Sequence, residues 1–85
     1  MEYYEGLTLL KCIDRKTNEQ KSTEHYGRIC NLNYIFGGSC RIAFCNEYIL
    51  TSWATKSVSY YENESEKIMI LTTLNSEYYF RVYFK

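Results

Sequence analysis

The chain has no proline, a single histidine, no Cys-x-x-Cys pair and no surplus charge of either sign, its ten Lys and Arg balancing ten Asp and Glu. Duplex nucleic acid held by bulk attraction takes a basic excess, so the balance argues against that class of partner. The two signs are also mixed along the chain, with six basic and five acidic residues in residues 1–42. No apolar run exceeds Ile68-Met69-Ile70-Leu71, far below the ~18 residues of a membrane-spanning helix. The opening residues Met1, Glu2, Tyr3, Tyr4 and Glu5 are acidic and polar, where a secretory leader needs positive charge followed by an apolar stretch. These absences predict a cytoplasmic protein without a membrane partner, its four cysteines reduced and buried.

What the chain has in quantity is aromatic surface: ten Tyr, four Phe and one Trp. A chain this short buries only roughly 60 to 65% of its unfolded surface, and aromatic rings bury a large area with few rotatable bonds. No repeat, linker or low-complexity segment divides it, so residues 1–85 read as one domain.

Local pattern is clearest at the C-terminal end. Two β-prone runs, residues 68–73 and 78–84, flank the polar turn Leu74-Asn75-Ser76-Glu77. In the second run Tyr78, Phe80, Val82 and Phe84 alternate with Tyr79, Arg81, Tyr83 and Lys85, the period of two that marks a strand of a hairpin. Residues 7–13 place Leu7, Leu9, Lys11 and Ile13 on one face and Thr8, Leu10 and Cys12 on the other, as in a strand buried on both sides. Residues 14–20 form a polar connector. Residues 21–36 admit two readings. A helical face of Tyr26, Ile29, Cys30, Asn33 and Tyr34 has candidate caps in Ser22 or Thr23 and Gly37-Gly38; a strand over residues 28–36 is favoured by the two asparagines, poor inside helices. The strand is the preferred reading, with a short helix within residues 22–36 as its competitor.

Gly37-Gly38 then supplies a tight turn, and Cys40, Ile42 and Phe44 alternate with Arg41, Ala43 and Cys45. Residues 48–51 and 57–61 read as further short strands, with a bend over residues 51–55 and a polar loop over residues 62–66. The fold class is therefore mostly β: a small bent sheet or SH3-like barrel of about six short strands.

Candidate chemistry is sparse. His25, Cys30, Cys40 and Cys45 hold zinc-type ligands, but the spacing is wrong, and Cys40 and Cys45 face opposite ways on one strand. The same geometry opposes a disulfide between them. A cysteine nucleophile with His25 as base lacks an identifiable third group. Glu62, Glu64 and Glu66 read as a solvated loop, and Asn63-Glu64-Ser65 as a chance glycosylation match. No catalytic residue, metal or cofactor is predicted. Trp53, Tyr60, Tyr61, Tyr79, Arg81 and Tyr83 form the candidate partner-binding set, with Arg41, Lys56 and Arg81 as candidate phosphate contacts. Outward Tyr, Trp and Arg anchor protein partners or stack bases; cross-strand tyrosine pairs that simply stabilise the sheet are the competing reading.

Leu50-Thr51-Ser52, Val58-Ser59 and the stretch Leu71-Thr72-Thr73-Leu74-Asn75-Ser76-Glu77-Tyr78 resemble the ending of short β-rich accessory proteins of phages and other mobile elements. In those proteins a Thr-Ser step precedes a Thr-x-Asn-Ser-x-Tyr hairpin. The resemblance covers residues 50–85 and implies action by binding, since some such proteins inhibit bacterial defence systems, CRISPR nucleases among them, and others sequester nucleotide signals. The absence of proline with abundant Ile, Lys, Asn, Tyr and Glu fits the coding habit of low-GC bacteria and their phages. The expected function is a non-enzymatic inhibitor of a host protein. A barrel that binds a nucleotide signal or single-stranded nucleic acid is the first alternative, and a subunit of a homo-oligomer the second.

Overall fold

A computed structural model describes residues 1–82; the readings of Tyr83, Phe84 and Lys85 lie outside the described residues. Within the described residues seven strands form one antiparallel sheet: β1 Glu2–Asp14, β2 Ile29–Tyr34, β3 Ser39–Ala43, β4 Tyr48–Trp53, β5 Ser59–Glu62, β6 Lys67–Thr72 and β7 Ser76–Val82, in the order β4-β3-β2-β1-β7-β6-β5. Among the described residues no helix is long and apolar enough to cross a membrane.

The central strand organises the molecule. Thirteen residues run straight would span about 40 Å, longer than the 32 Å extent of the molecule along its longest principal axis, and β1 is bent. It bends at Gly6, whose φ of +66° suits a residue without a side chain, where the pairing to β2 shifts between Tyr4 and Leu7. A second irregularity lies between Leu9 and Lys11 against β7. The front of β1 pairs with β2 and the back with β7. Each half of the sheet therefore turns an apolar face to a shared core that includes Leu7, Leu9, Leu32, Ile42, Leu71 and Phe80. The bulge at Leu10 corrects the simple alternation: Leu7, Leu9 and then Cys12 are buried, and Lys11 faces outward. The tyrosine hydroxyl of Tyr26 meets the irregular stretch, accepting the Cys12 N–H at 2.9 Å and lying 3.0 Å from the Cys12 carbonyl.

The undecided segment resolves into a one-turn 3₁₀ helix, Thr23–His25, followed by β2. Cys30, Leu32 and Tyr34 point inward and alternate with Asn31 and Asn33, so the supposed helical face is split between two sides of a strand. The hairpin turn is tighter than its sequence implies. Ser76 already belongs to β7, and the Thr73 N–H donates to the Ser76 carbonyl at 2.9 Å.

The bent-sheet form is the one adopted; the strand order stays open, with β4 and β5 as its edges, rather than closing into an SH3-like barrel. The two halves are nevertheless pinned at one point. Past the end of β4, Ala54 exchanges backbone hydrogen bonds with Gly37 and Gly38, while Leu74 donates to Trp53 and Thr55 to Thr72. The anticipated bend over residues 51–55 is thus a strand through Trp53 that continues as a cross-tie.

Candidate functional site

Register fixes which β4 side chains reach solvent. Tyr48 pairs with Ala43 and Leu50 with Arg41, and the pairing then slips so that Trp53, not Ser52, lies opposite Ser39. Strict alternation from Leu50 would turn Trp53 inward. The extra residue instead returns it to the outer face, while Thr51 is buried and its Oγ1 accepts the Cys40 N–H at 3.0 Å. Tyr48, Leu50 and Trp53 are consequently 57%, 60% and 61% exposed on one face of an edge strand. Phe36 and Ile35, just beyond β2, add further exposed apolar surface.

The next rows inward are polar. Arg41 sits between Leu50 and Asn33, and Asn33 in turn opposes Tyr3. Met1, Asn33, Ile35, Ser39, Arg41 and Leu50 line a shallow groove of about 340 Å³. The Arg41 guanidinium lies over the Tyr48 ring, 4.9 Å from its centroid, a cation–π contact between neighbouring strands. The chain has four arginines. Arg15 donates to the Thr73 carbonyl, Arg28 to Glu47, and Arg81 to Glu66. Among the described residues, Arg41 alone has a guanidinium that meets no carboxylate or carbonyl.

The residues singled out in the sequence do not assemble into one site. Trp53 and Arg41 share the outer face of β3 and β4, whereas Tyr60, Tyr61, Tyr79 and Arg81 belong to the other half of the sheet. Tyr79 and Arg81 do face outward, yet both are engaged: the Lys11 ammonium lies 4.5 Å over the Tyr79 ring, and Arg81 Nε donates to Glu66 at 3.1 Å. Ile68, on that same outward face, is only 2% exposed; its cross-strand neighbours are Tyr61 and Arg81. Here the aromatic and basic residues cover sheet surface, the competing reading left open above. Tyr60 pairs with buried Met69 and carries the Lys67 ammonium 4.6 Å over its ring. Lys56 follows the cross-tie, where its carbonyl accepts the Tyr34 hydroxyl at 3.0 Å. Tyr83 lies outside the described residues. Sequence reasoning missed Tyr48, Leu50, Ile35 and Phe36. Their apolar character was visible, but the slip that aligns Trp53 with Leu50 was not.

Three of the cysteines are buried, while Cys45 is exposed, against the expectation of four buried thiols. Burial pushes the Cys30 thiol up to about 11 and raises that of Cys12, which leaves both unreactive as nucleophiles. His25 stacks on Phe44 at 4.5 Å and is ringed by Arg28, Glu47 and Glu24. It plugs the space between the 3₁₀ turn and the end of β3. Among the described residues no three His, Cys, Asp or Glu side chains converge as a metal site would require. In the acidic loop, Asn63 Oδ1 caps the backbone N–H groups of Ser65 and Glu66.

Comparison with known protein families, curated proteins and solved structures returns no match.

Proposed function

We propose that the protein acts by binding alone, laying the outer face of β4 on a protein partner and covering a surface that partner needs. The observation that carries this reading is the row Tyr48, Leu50 and Trp53, each more than half exposed along an edge strand. An exposed apolar edge invites unwanted association, so natural proteins normally blunt such edges with charge; large apolar patches left open mark interaction surfaces. Trp, Tyr and a neighbouring Arg are also the residue types that dominate binding energy. The partner class follows from the resemblance to phage and mobile-element accessory proteins. It is a bacterial host factor, with a defence nuclease of the CRISPR type the first to test, and the site of action is the host cytoplasm.

The experiment expresses a tagged form in a low-GC bacterium and identifies by mass spectrometry a protein that co-purifies in stoichiometric amount. It is repeated with the double variant Leu50→Ser, Trp53→Ala. A partner retained by the wild type and lost by the variant supports the proposal. A partner held equally by both overturns the assignment of this face.

One observation favours a second reading, in which the face binds a nucleotide or single-stranded nucleic acid: Arg41, paired with Leu50, lies over Tyr48 at one end of the strand while Trp53 stays exposed at the other, so a base could stack on Trp53 with its phosphate toward the guanidinium. Nucleotide-type ultraviolet absorbance in the purified material identifies that case. Association of β4 with a second copy would instead appear as a dimer in light scattering.

A further inference from the structure

We infer that the groove beside Arg41 receives a carboxylate, the side chain of an aspartate or glutamate set in an apolar segment of the partner. This rests on the reading of the β4 face as a protein-docking surface and supplies the chemistry of what docks there. The register decides it. Arg41 lies across from Leu50, with the Tyr48 and Trp53 pairs on either side, so a partner that covers those three side chains must also cover the guanidinium. A guanidinium removed from water without an acceptor is strongly disfavoured. The other three arginines already have acceptors, and among the described residues Arg41 has none. The partner must bring one.

The groove itself selects the kind of acceptor. Its walls are apolar at Ile35, Leu50 and Met1, with the Asn33 amide and Ser39 hydroxyl as supplementary polar groups, and Arg41 is the one charged side chain lining it. A single guanidinium matches a single carboxylate. A nucleic-acid strand brings a phosphate at every nucleotide and is held by a basic track, which this groove lacks. The guanidinium fork fits the two carboxylate oxygens side by side, and its seat on the Tyr48 ring reduces the ordering that binding requires.

The test is a titration of the whole ¹⁵N-labelled protein followed by NMR. The probes are a terminally blocked tripeptide of glutamate between two leucines, its glutamine counterpart, inorganic phosphate and a short oligothymidylate. The glutamate peptide is expected to shift the amides of Asn33, Arg41 and Leu50 and the Arg41 Nε. Affinity should fall about tenfold for the glutamine peptide and for Arg41→Gln, the scale of a lost charge-assisted hydrogen bond. Arg41→Lys should keep part of it. Equal affinity for the two peptides overturns the inference. So does stronger competition by phosphate or oligothymidylate, or no shift at any soluble concentration. The co-purification assay separates this from the broader proposal: loss of the partner with the Leu50 and Trp53 changes but not with Arg41→Gln removes the carboxylate assignment and leaves the docking face standing.

Discussion

Ser52 Oγ donates a 2.8 Å hydrogen bond to Thr73 Oγ1, joining β4 in one half of the sheet to the β6–β7 turn of the other. Thr73 is fully buried, and its hydroxyl also serves the Ser76 carbonyl and N–H, each at 3.1 Å. Ser52 Oγ accepts the Asn75 N–H, and Arg15 Nη1 reaches the Thr73 carbonyl. The hydroxyl pair thereby fixes the direction in which the chain leaves β4, and with it the stance of Trp53. Thr73→Val keeps the shape but leaves the buried Ser76 N–H without its acceptor, and should cost about 2 kcal/mol; Ser52→Ala should cost about 1 kcal/mol. Because both remove one shared bond, the double variant should lose less than the sum, as urea unfolding of the four proteins would show.

Gly6 sits at the bend of β1 with φ +66° and nothing within 4 Å of where a Cβ would stand. Space is available, so a side chain there meets only backbone strain. Gly6→Ala should lower stability by about 1 kcal/mol, and Gly6→Asn by less, since asparagine tolerates this conformation. Thermal unfolding compares the two directly.

Much of this architecture was legible in the chain. Tyr78 and Phe80 inside, Tyr79 and Arg81 outside, and Cys40, Ile42 and Phe44 alternating with Arg41 and Cys45 are all local patterns, and the folded protein keeps them. The misreadings cluster at bulges. One extra residue at Leu10 moves Cys12 inside and Lys11 out, and another before Trp53 brings it beside Leu50; neither slip leaves a mark in composition. The candidate site was hidden for a second reason. Whether an outward tyrosine is free depends on its cross-strand neighbour, and Lys11 over Tyr79 is a pairing between residues far apart in sequence.

Stability should be asymmetric in pH. On the alkaline side, burial raises Cys30 to about 11 and Tyr78 to about 12, and raises Cys12, Tyr34 and Tyr79 as well. Tyr4 moves the same way through burial, its hydrogen bond to Glu2 and the neighbouring Tyr60. The folded protein keeps these protons where the unfolded chain releases them, so their contribution is complete below pH 9 to 10, the ordinary values for thiol and phenol, and drains away as pH climbs through the folded values. Urea midpoints should hold steady from pH 7 to 9 and fall steeply from pH 9 to 11, with a shallower fall in Cys30→Ala. On the acid side Asp14 is drawn down to about 2 by the backbone N–H groups of Thr17 and Lys16 and by the Lys21 ammonium. Its contribution is present above the ordinary carboxylate value of 3.8 and is lost as pH falls toward 2.

Leu50 and Trp53 point into solvent, so replacing them should leave folding stability within about 0.5 kcal/mol of the wild type. Unchanged unfolding curves for Leu50→Ser and Trp53→Ala would separate loss of docking from loss of fold.

The decisive quantity is the amount of partner retained per chain by two variants purified side by side: Leu50→Ser, Trp53→Ala on the β4 face, and Tyr61→Ser on the exposed β5 edge of the opposite half. Docking through β4 predicts that the first loses the partner and the second holds it at the wild-type ratio. Full retention by the β4 variant together with loss in Tyr61→Ser would contradict it and move the binding surface to the other half of the sheet.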